Sequence, residues 1–202
     1  MELKFNNDYY FNNPEIIQKT RVKKKQIILI NTGCSVEEHL YKISNRFNKK
    51  YKKIPTFTIA KNGLMYQHYD PLYYTEIIEN QDVSKQAIII AIENIGWLDF
   101  DNINTKYIDW RGVEYQDEIV ECQWRLKKYW ATYTNEQYLA LIQLINYLCI
   151  EYSIDKKFVD SNIIINKPNT FYGILTRSNF SKNHHDLTPA FNFDKIIENE
   201  IN

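Results

Sequence analysis

Apolar positions fall into short β-branched runs and one long helical stripe, separated by polar text rich in asparagine and lysine. The run QIILI, Gln26 to Ile30, is too short for a typical buried helix and predicts a buried strand ended by Gly33. A helix should follow, because Ser35 and Glu38 have capping-box spacing and Val36, Leu40, Ile43 and Phe47 recur at helical intervals before the basic NKKYKK tail. Alternation on either side of KNG predicts a hairpin with strands near Thr56–Ala60 and Leu64–His68. The continuous run in QAIIIAIENIG reads as the central strand, ending on Glu93. Thr134 and Gln137 form a second capping box, and Tyr138, Leu141, Ile142, Ile145, Leu148 and Cys149 share one apolar helix face. NIIIN and TFYGILT read as further strands, and Phe193 to Ile201 as a terminal helix. Strands alternating with helices predict α/β: a single-domain mixed central β-sheet flanked by helices. The domain would span 26–202, after an N-terminal extension over 1–25. Residues of about 97–130 have no clean period and read as an aromatic insertion, with a short hairpin around WRGVEY.

Composition narrows the function classes. The chain has 202 residues, 44% hydrophobic and 25% charged, which is globular rather than disordered. Its 25 basic and 25 acidic side chains cancel, which removes the electrostatic argument for nucleic acid or an anionic membrane as main partner. Cys34, Cys122 and Cys149 are odd in number and widely spaced, fitting neither a disulfide framework nor a metal knuckle, so a reducing compartment is expected. The N-terminus lacks a signal-peptide pattern, and no run approaches the ~20 apolar residues of a membrane span. A text heavy in Asn, Lys and Ile suggests an AT-rich genome, such as a bacteriophage or an AT-rich bacterium.

The stretch HHDLTPAFNFD, His184 to Asp194, could be part of a metal site, because it places two of four histidines beside an aspartate. Catalytic zinc needs three protein donors, so Cys34 or His39 would have to complete a set with His184, His185 and Asp186. The simpler reading is a polar loop preceding the PAF anchor. Trp97, Tyr107, Trp110 and Tyr115 offer amphipathic area suited to an interface or a sugar-facing surface, or they pack the insertion onto the sheet. Trp124 and Trp130 lean towards core.

Taken in order, NTG, KNGLMYQ, IIIAIEN, YTNEQYLALIQLINYLC and HHDLTPAFNFDKI resemble the zinc N-acetylmuramoyl-L-alanine amidases. That family includes phage lysozymes of the amidase type and the peptidoglycan recognition proteins. The resemblance covers roughly Gln26 to Ile196, and the lead-in with Trp124, Tyr129 and Trp130 looks like its phage branch. It implies three zinc ligands. The first falls on Asn31 in LINTG, where the family reads like IHHT, and the second on Ile174 in FYGILTRS, where the family reads like VGHRDI. Only the third is kept, as Asp186. A supporting basic position falls on His184, the catalytic side chain of the hairpin strand falls near Pro55–Thr56, and the acid ending the central strand survives as Glu93.

With two of three ligands missing, zinc is expected to be absent, and with it the bound water whose pKa the metal lowers for hydrolysis. The expectation is a catalytically inactive amidase-like protein, phage-encoded, in the host cytoplasm or a virion. It would bind a peptidoglycan fragment or a protein partner through a former cleft of Asn31, Thr32, Glu93, Ile174, His184 and Asp186. The alternatives are a rearranged hydrolase around Glu93, His184 and Asp186, or an inhibitor or regulator of another protein.

Overall fold

The computed structural model describes residues 3–197. Strand β1 (Gln26–Asn31) is buried on both faces and runs into helix α1 (Val36–Lys49). Ser35 caps α1 by accepting the Glu38 N–H at 3.3 Å. The reciprocal half of a capping box is not made, because the Glu38 carboxylate is drawn to Lys42 and Arg111 instead. Regular helix stops before Arg46, where Phe47 and Asn48 adopt positive φ.

The KNG hairpin forms as expected, with β2 (Phe57–Ile59) antiparallel to β3 (Met65–Gln67). Gly63 has φ +80°, and a Cβ there would lie 2.9 Å from the Glu136 carbonyl, so the turn requires glycine. A short helix α2 (Gln81–Gln86), which the sequence pattern does not announce, leads into the fully buried β4 (Ala87–Ile92).

Residues assigned to an insertion fold as a four-stranded antiparallel sheet. Its strands are β5 (Trp97–Asp101), β6 (Lys106–Asp109), β7 (Ile119–Trp124) and β8 (Lys127–Ala131), in the order β6-β5-β8-β7. The short hairpin expected at WRGVEY is present: the chain turns at Trp110–Gly112 and runs back antiparallel along β6, with Ile108 bridging Glu114, the Asp109 N–H on the Val113 carbonyl at 2.8 Å and the Tyr115 N–H on the Tyr107 carbonyl at 2.9 Å. A further hairpin joins β7 to β8 through Arg125 and Leu126, both at positive φ. Such two-residue turns usually carry Gly, Asn or Asp, so the sequence holds no turn signal there. Trp130 is the anchor, fully buried with its indole N–H on the Cys122 carbonyl at 2.7 Å.

Helix α3 (Asn135–Tyr152) carries the complete Thr134–Gln137 capping box. Strand β9 (Gly173–Thr176) then pairs parallel to β1 and completes a sheet ordered β3-β2-β4-β1-β9. β4 therefore sits at the centre, and only the β2–β3 pairing is antiparallel. NIIIN is not a strand. The free edge of β9 is already taken by Phe158, which bridges Ile174, and Ile163 and Ile164 are left exposed. The terminal helix α4 covers Asp194–Ile197, and the rest of the predicted span lies outside the described residues.

Alternation along the central strands feeds two faces. Ile27, Leu29, Ile88, Ile90 and Ile92 pack with α3, while Ile28, Ile30, Ile89 and Leu175 pack with Ile77, Ile78 and Val83. The segment over 3–25 is part of the fold: Asn6 bridges Tyr66, and Ile16 and Ile17 are buried against α1.

Candidate functional site

In the open end of a parallel sheet, the groups that can meet a ligand lie beyond the carboxyl ends of the strands. β1 ends on Asn31, and its register with β9 pairs Leu29 with Thr176, so Arg177 onwards passes beside the end of β1. The loop that follows brings Asp186 back to the same point. Asp186 Oδ1 accepts the Asn31 N–H at 2.6 Å, and Oδ2 accepts Arg177 Nε at 2.6 Å. The Asn31 side-chain oxygen accepts the hydroxyl of buried Tyr133 at 2.7 Å. Burial raises the Tyr133 phenol far above its ordinary range, so it acts as a fixed donor.

Asn31, Arg177, Asp186 and Tyr133 thus form one connected cluster. Asp186 is 3% exposed, and its carboxylate has a donor on each oxygen. Thr32 continues the strand end, its hydroxyl donating to the Cys34 carbonyl at 2.6 Å. Cys34 is buried and its thiol is pushed up by burial, away from thiolate chemistry.

Not every residue singled out in the sequence reaches this point. Ile174 lies in the core, 1% exposed and paired with Ile27, four residues upstream of Asn31. The carry-over counted from Gly173, whereas strand register brings Arg177, not Ile174, to the β1 end. Glu93 ends β4, where its carboxylate accepts the Lys61 N–H at 2.7 Å and its carbonyl accepts Gln137 Nε2. It serves as a joint between the hairpin and α3.

His184 and His185 separate. The His184 ring contacts Ser181 Oγ at 2.7 Å, and its pKa is lowered by burial and by Arg177. His185 packs against the Trp124 and Trp130 rings. The loop is pinned by Arg125, whose guanidinium donates to the carbonyls of Ser178, Ser181 and His184 and lies over Trp124. Trp130 is in the core as expected, whereas Trp124 is only half-buried, packed against Trp130 and His185 with its indole N–H on Asn162 Oδ1 at 2.6 Å.

The four aromatics proposed as an interface are each engaged internally. Trp97 lies under Lys127 Nζ, Tyr107 packs on Phe100 and Tyr129, Trp110 donates to the Gly33 carbonyl, and Tyr115 sits under Lys61. Trp110 alone keeps about half its surface, 49%.

Two histidines outside the HHD stretch form a further cluster. His68 Nδ1 faces the Tyr9 carbonyl at 3.1 Å and so carries the proton, leaving Nε2 to accept from Thr58 Oγ1 at 2.8 Å. His39 Nε2 reaches the same hydroxyl at 3.3 Å. Burial lowers His68 to about 4 and His39 to about 3, so both are neutral at pH 7. His39 also lines a cavity of about 590 Å³ that includes Asn31, Thr32, Arg177 and His184.

No family profile matches the chain, and no curated protein matches it in sequence. Solved structures do. The N-acetylmuramoyl-L-alanine amidase LysC from Clostridium intestinale URNW superposes with TM-score 0.53 at 15% identity, over 87% of this chain and 84% of that one. The amidase AmiD from E. coli, in complex with its substrate anhydro-N-acetylmuramic acid-L-Ala-D-γ-Glu-L-Lys, gives TM-score 0.53 at 14% identity, over 90% of this chain and 59% of that one. An AmpD structure gives 0.50 at 11% identity, over 95% and 90%. This chain has the N-acetylmuramoyl-L-alanine amidase fold.

The zinc implied by the family resemblance does not fit the groups at the β1 end of this amidase fold. An amide, a guanidinium and a carboxylate already holding two donors are a poor set, since Arg cannot ligate and Asn is a weak ligand. Among the described residues, no group of three or more His, Cys, Asp or Glu is arranged to hold a metal. What the cluster can do is present fixed hydrogen-bond donors and one cationic group beside a cavity. Sequence reasoning missed Arg177, Arg125, Tyr133 and the His39–His68 pair. Only Arg177 had a usable signal, the number of residues needed to bring β9 level with the end of β1.

Proposed function

We propose that this chain is a non-hydrolytic amidase-fold protein that recognises a peptidoglycan fragment through the cavity beside Asn31 and Arg177. The observation that carries this reading is the Arg177–Asp186 pair. A guanidinium meets the one carboxylate that the resemblance marks as a zinc ligand, supplying the positive charge a metal would otherwise bring. Fold alone does not fix function, so the ligand class is taken from the muropeptide bound to AmiD and from the cavity of about 590 Å³, within the size range of small-ligand sites. Phage origin belongs to the same proposal, supported by the Trp124–Trp130 lead-in and the composition rich in Asn, Lys and Ile, and a place in a virion would follow from it.

Two measurements on purified protein test this: metal content and co-sedimentation with sacculi. Metal-free protein that sediments with sacculi and leaves them intact supports the reading. Stoichiometric zinc lost on Asp186→Ala with either His184→Ala or His185→Ala would establish a rearranged hydrolase instead. Failure to sediment would remove peptidoglycan as the ligand.

A further inference from the structure

The same cavity concentrates positive charge in a chain that is neutral overall. Its wall carries Lys42, Arg46, Lys53 and Arg177 against one carboxylate, Glu79. Two of the cations are already answered from outside the cavity, Lys42 by Glu38 at 2.6 Å and Arg177 by Asp186. Arg46 and Lys53 have no carboxylate within ion-pair distance among the described residues. Arg46 lies over the Phe47 and Tyr51 rings, 5.2 and 5.5 Å from their centroids, and among the described residues its N–H fork has no hydrogen-bond acceptor.

We propose that this cavity binds a small organic phosphate ester, with the phosphate between Arg46 and Lys53 and the organic part against Ile77 and Ile164. A phosphate is favoured over a carboxylate by the arrangement of the cations. They come from three separate segments, α1, the approach to β2 and the loop after β9, so the cavity offers several independent donors in place of one planar fork. A tetrahedral dianion accepts from several directions, whereas a carboxylate is served by a single bidentate arginine. The isoleucines and Tyr51 give the cavity an apolar side that inorganic phosphate alone would not use. This inference does not depend on muropeptide recognition.

The test is calorimetric titration of the full chain with phenyl phosphate and with benzoate at low ionic strength. Phenyl phosphate should bind one-to-one, ~10-fold more tightly than benzoate, and Arg46→Gln or Lys53→Gln should each weaken it by ~10-fold, about 1.4 kcal/mol. Both side chains are on exposed residues, so neither change opens the core. Lys182→Gln, an exposed lysine outside the cavity, should leave affinity unchanged. No saturable heat with phenyl phosphate, equal affinity for benzoate, or an equal loss in Lys182→Gln would overturn the proposal. Muropeptide binding without phenyl phosphate binding would sink this inference and leave the proposed function standing.

Discussion

Replacing Arg177 by methionine keeps much of the side chain's bulk and removes the guanidinium from Asp186. The carboxylate, 3% exposed, would then hold only the Asn31 N–H, with Oδ2 left without a donor. Breaking a buried ion pair from one side costs ~3–5 kcal/mol, because a charge stays buried and unpaired. The Arg177 side chain is 23% exposed, so water can reach the vacated position and the lower end, ~3 kcal/mol, is expected. For a domain of this size that is a fall of ~6–12 °C in Tm. Asp186→Asn removes the charge but keeps an acceptor for the Asn31 N–H, and should cost ~2 kcal/mol. In the double variant no buried charge remains, so its loss should fall short of the sum by ~2 kcal/mol. Urea unfolding followed by tryptophan fluorescence gives all three values. A cost below ~1 kcal/mol for Arg177→Met, or additivity within ~0.5 kcal/mol, would refute the view that this pair organises the β1 end.

Acid should destabilise the fold through His68, whose pKa falls from 6.5 to about 4 on folding. The unfolded chain takes the proton first, so stability is present above pH 6.5 and lost as pH falls through 4; between pH 7 and 5 the loss from His68 is about 2 kcal/mol. His39 acts in the same direction, reduced by its access to the cavity, and His68→Gln should flatten the pH profile of urea midpoints. Thr134→Ala removes both the α3 cap and a 2.6 Å bond to the Lys61 carbonyl, and should cost ~1–2 kcal/mol in the same assay. Gly63→Ala forces a Cβ to 2.9 Å from the Glu136 carbonyl at φ +80°, so calorimetry should show a lower Tm, equivalent to at least ~1 kcal/mol.

Central elements were legible because their signals are strong and local. The β-branched runs at Ile27–Ile30 and Ile88–Ile92 and the Thr134–Gln137 box need no knowledge of neighbours, and each forms where the pattern places it. The inserted sheet was hidden because its strands are half-exposed and aromatic, and its tightest turn uses Arg125 and Leu126 in place of the usual turn residues. NIIIN looked like a strand because periodicity cannot see that the β9 edge is occupied by Phe158. At the site, Asn31 and Asp186 were found because a motif pointed to them and the fold brings them into contact. Ile174 was misplaced, and Arg177 overlooked, because parallel pairing, not distance from a glycine, decides which residue stands level with the end of β1. His39 and His68 are 29 residues apart in sequence, and the fold alone brings their rings together, edge to face at 6.4 Å and sharing the Thr58 hydroxyl.

The decisive measurement is native mass spectrometry of the full chain incubated with zinc and an N-acetylmuramoyl-L-alanyl peptide. A metal-free protein retaining the intact muropeptide, with no free stem peptide released, is the expected result. A zinc adduct accompanied by free peptide bearing an L-alanine amino terminus would contradict it, because an amidase would then be at work despite Asn31 and Arg177.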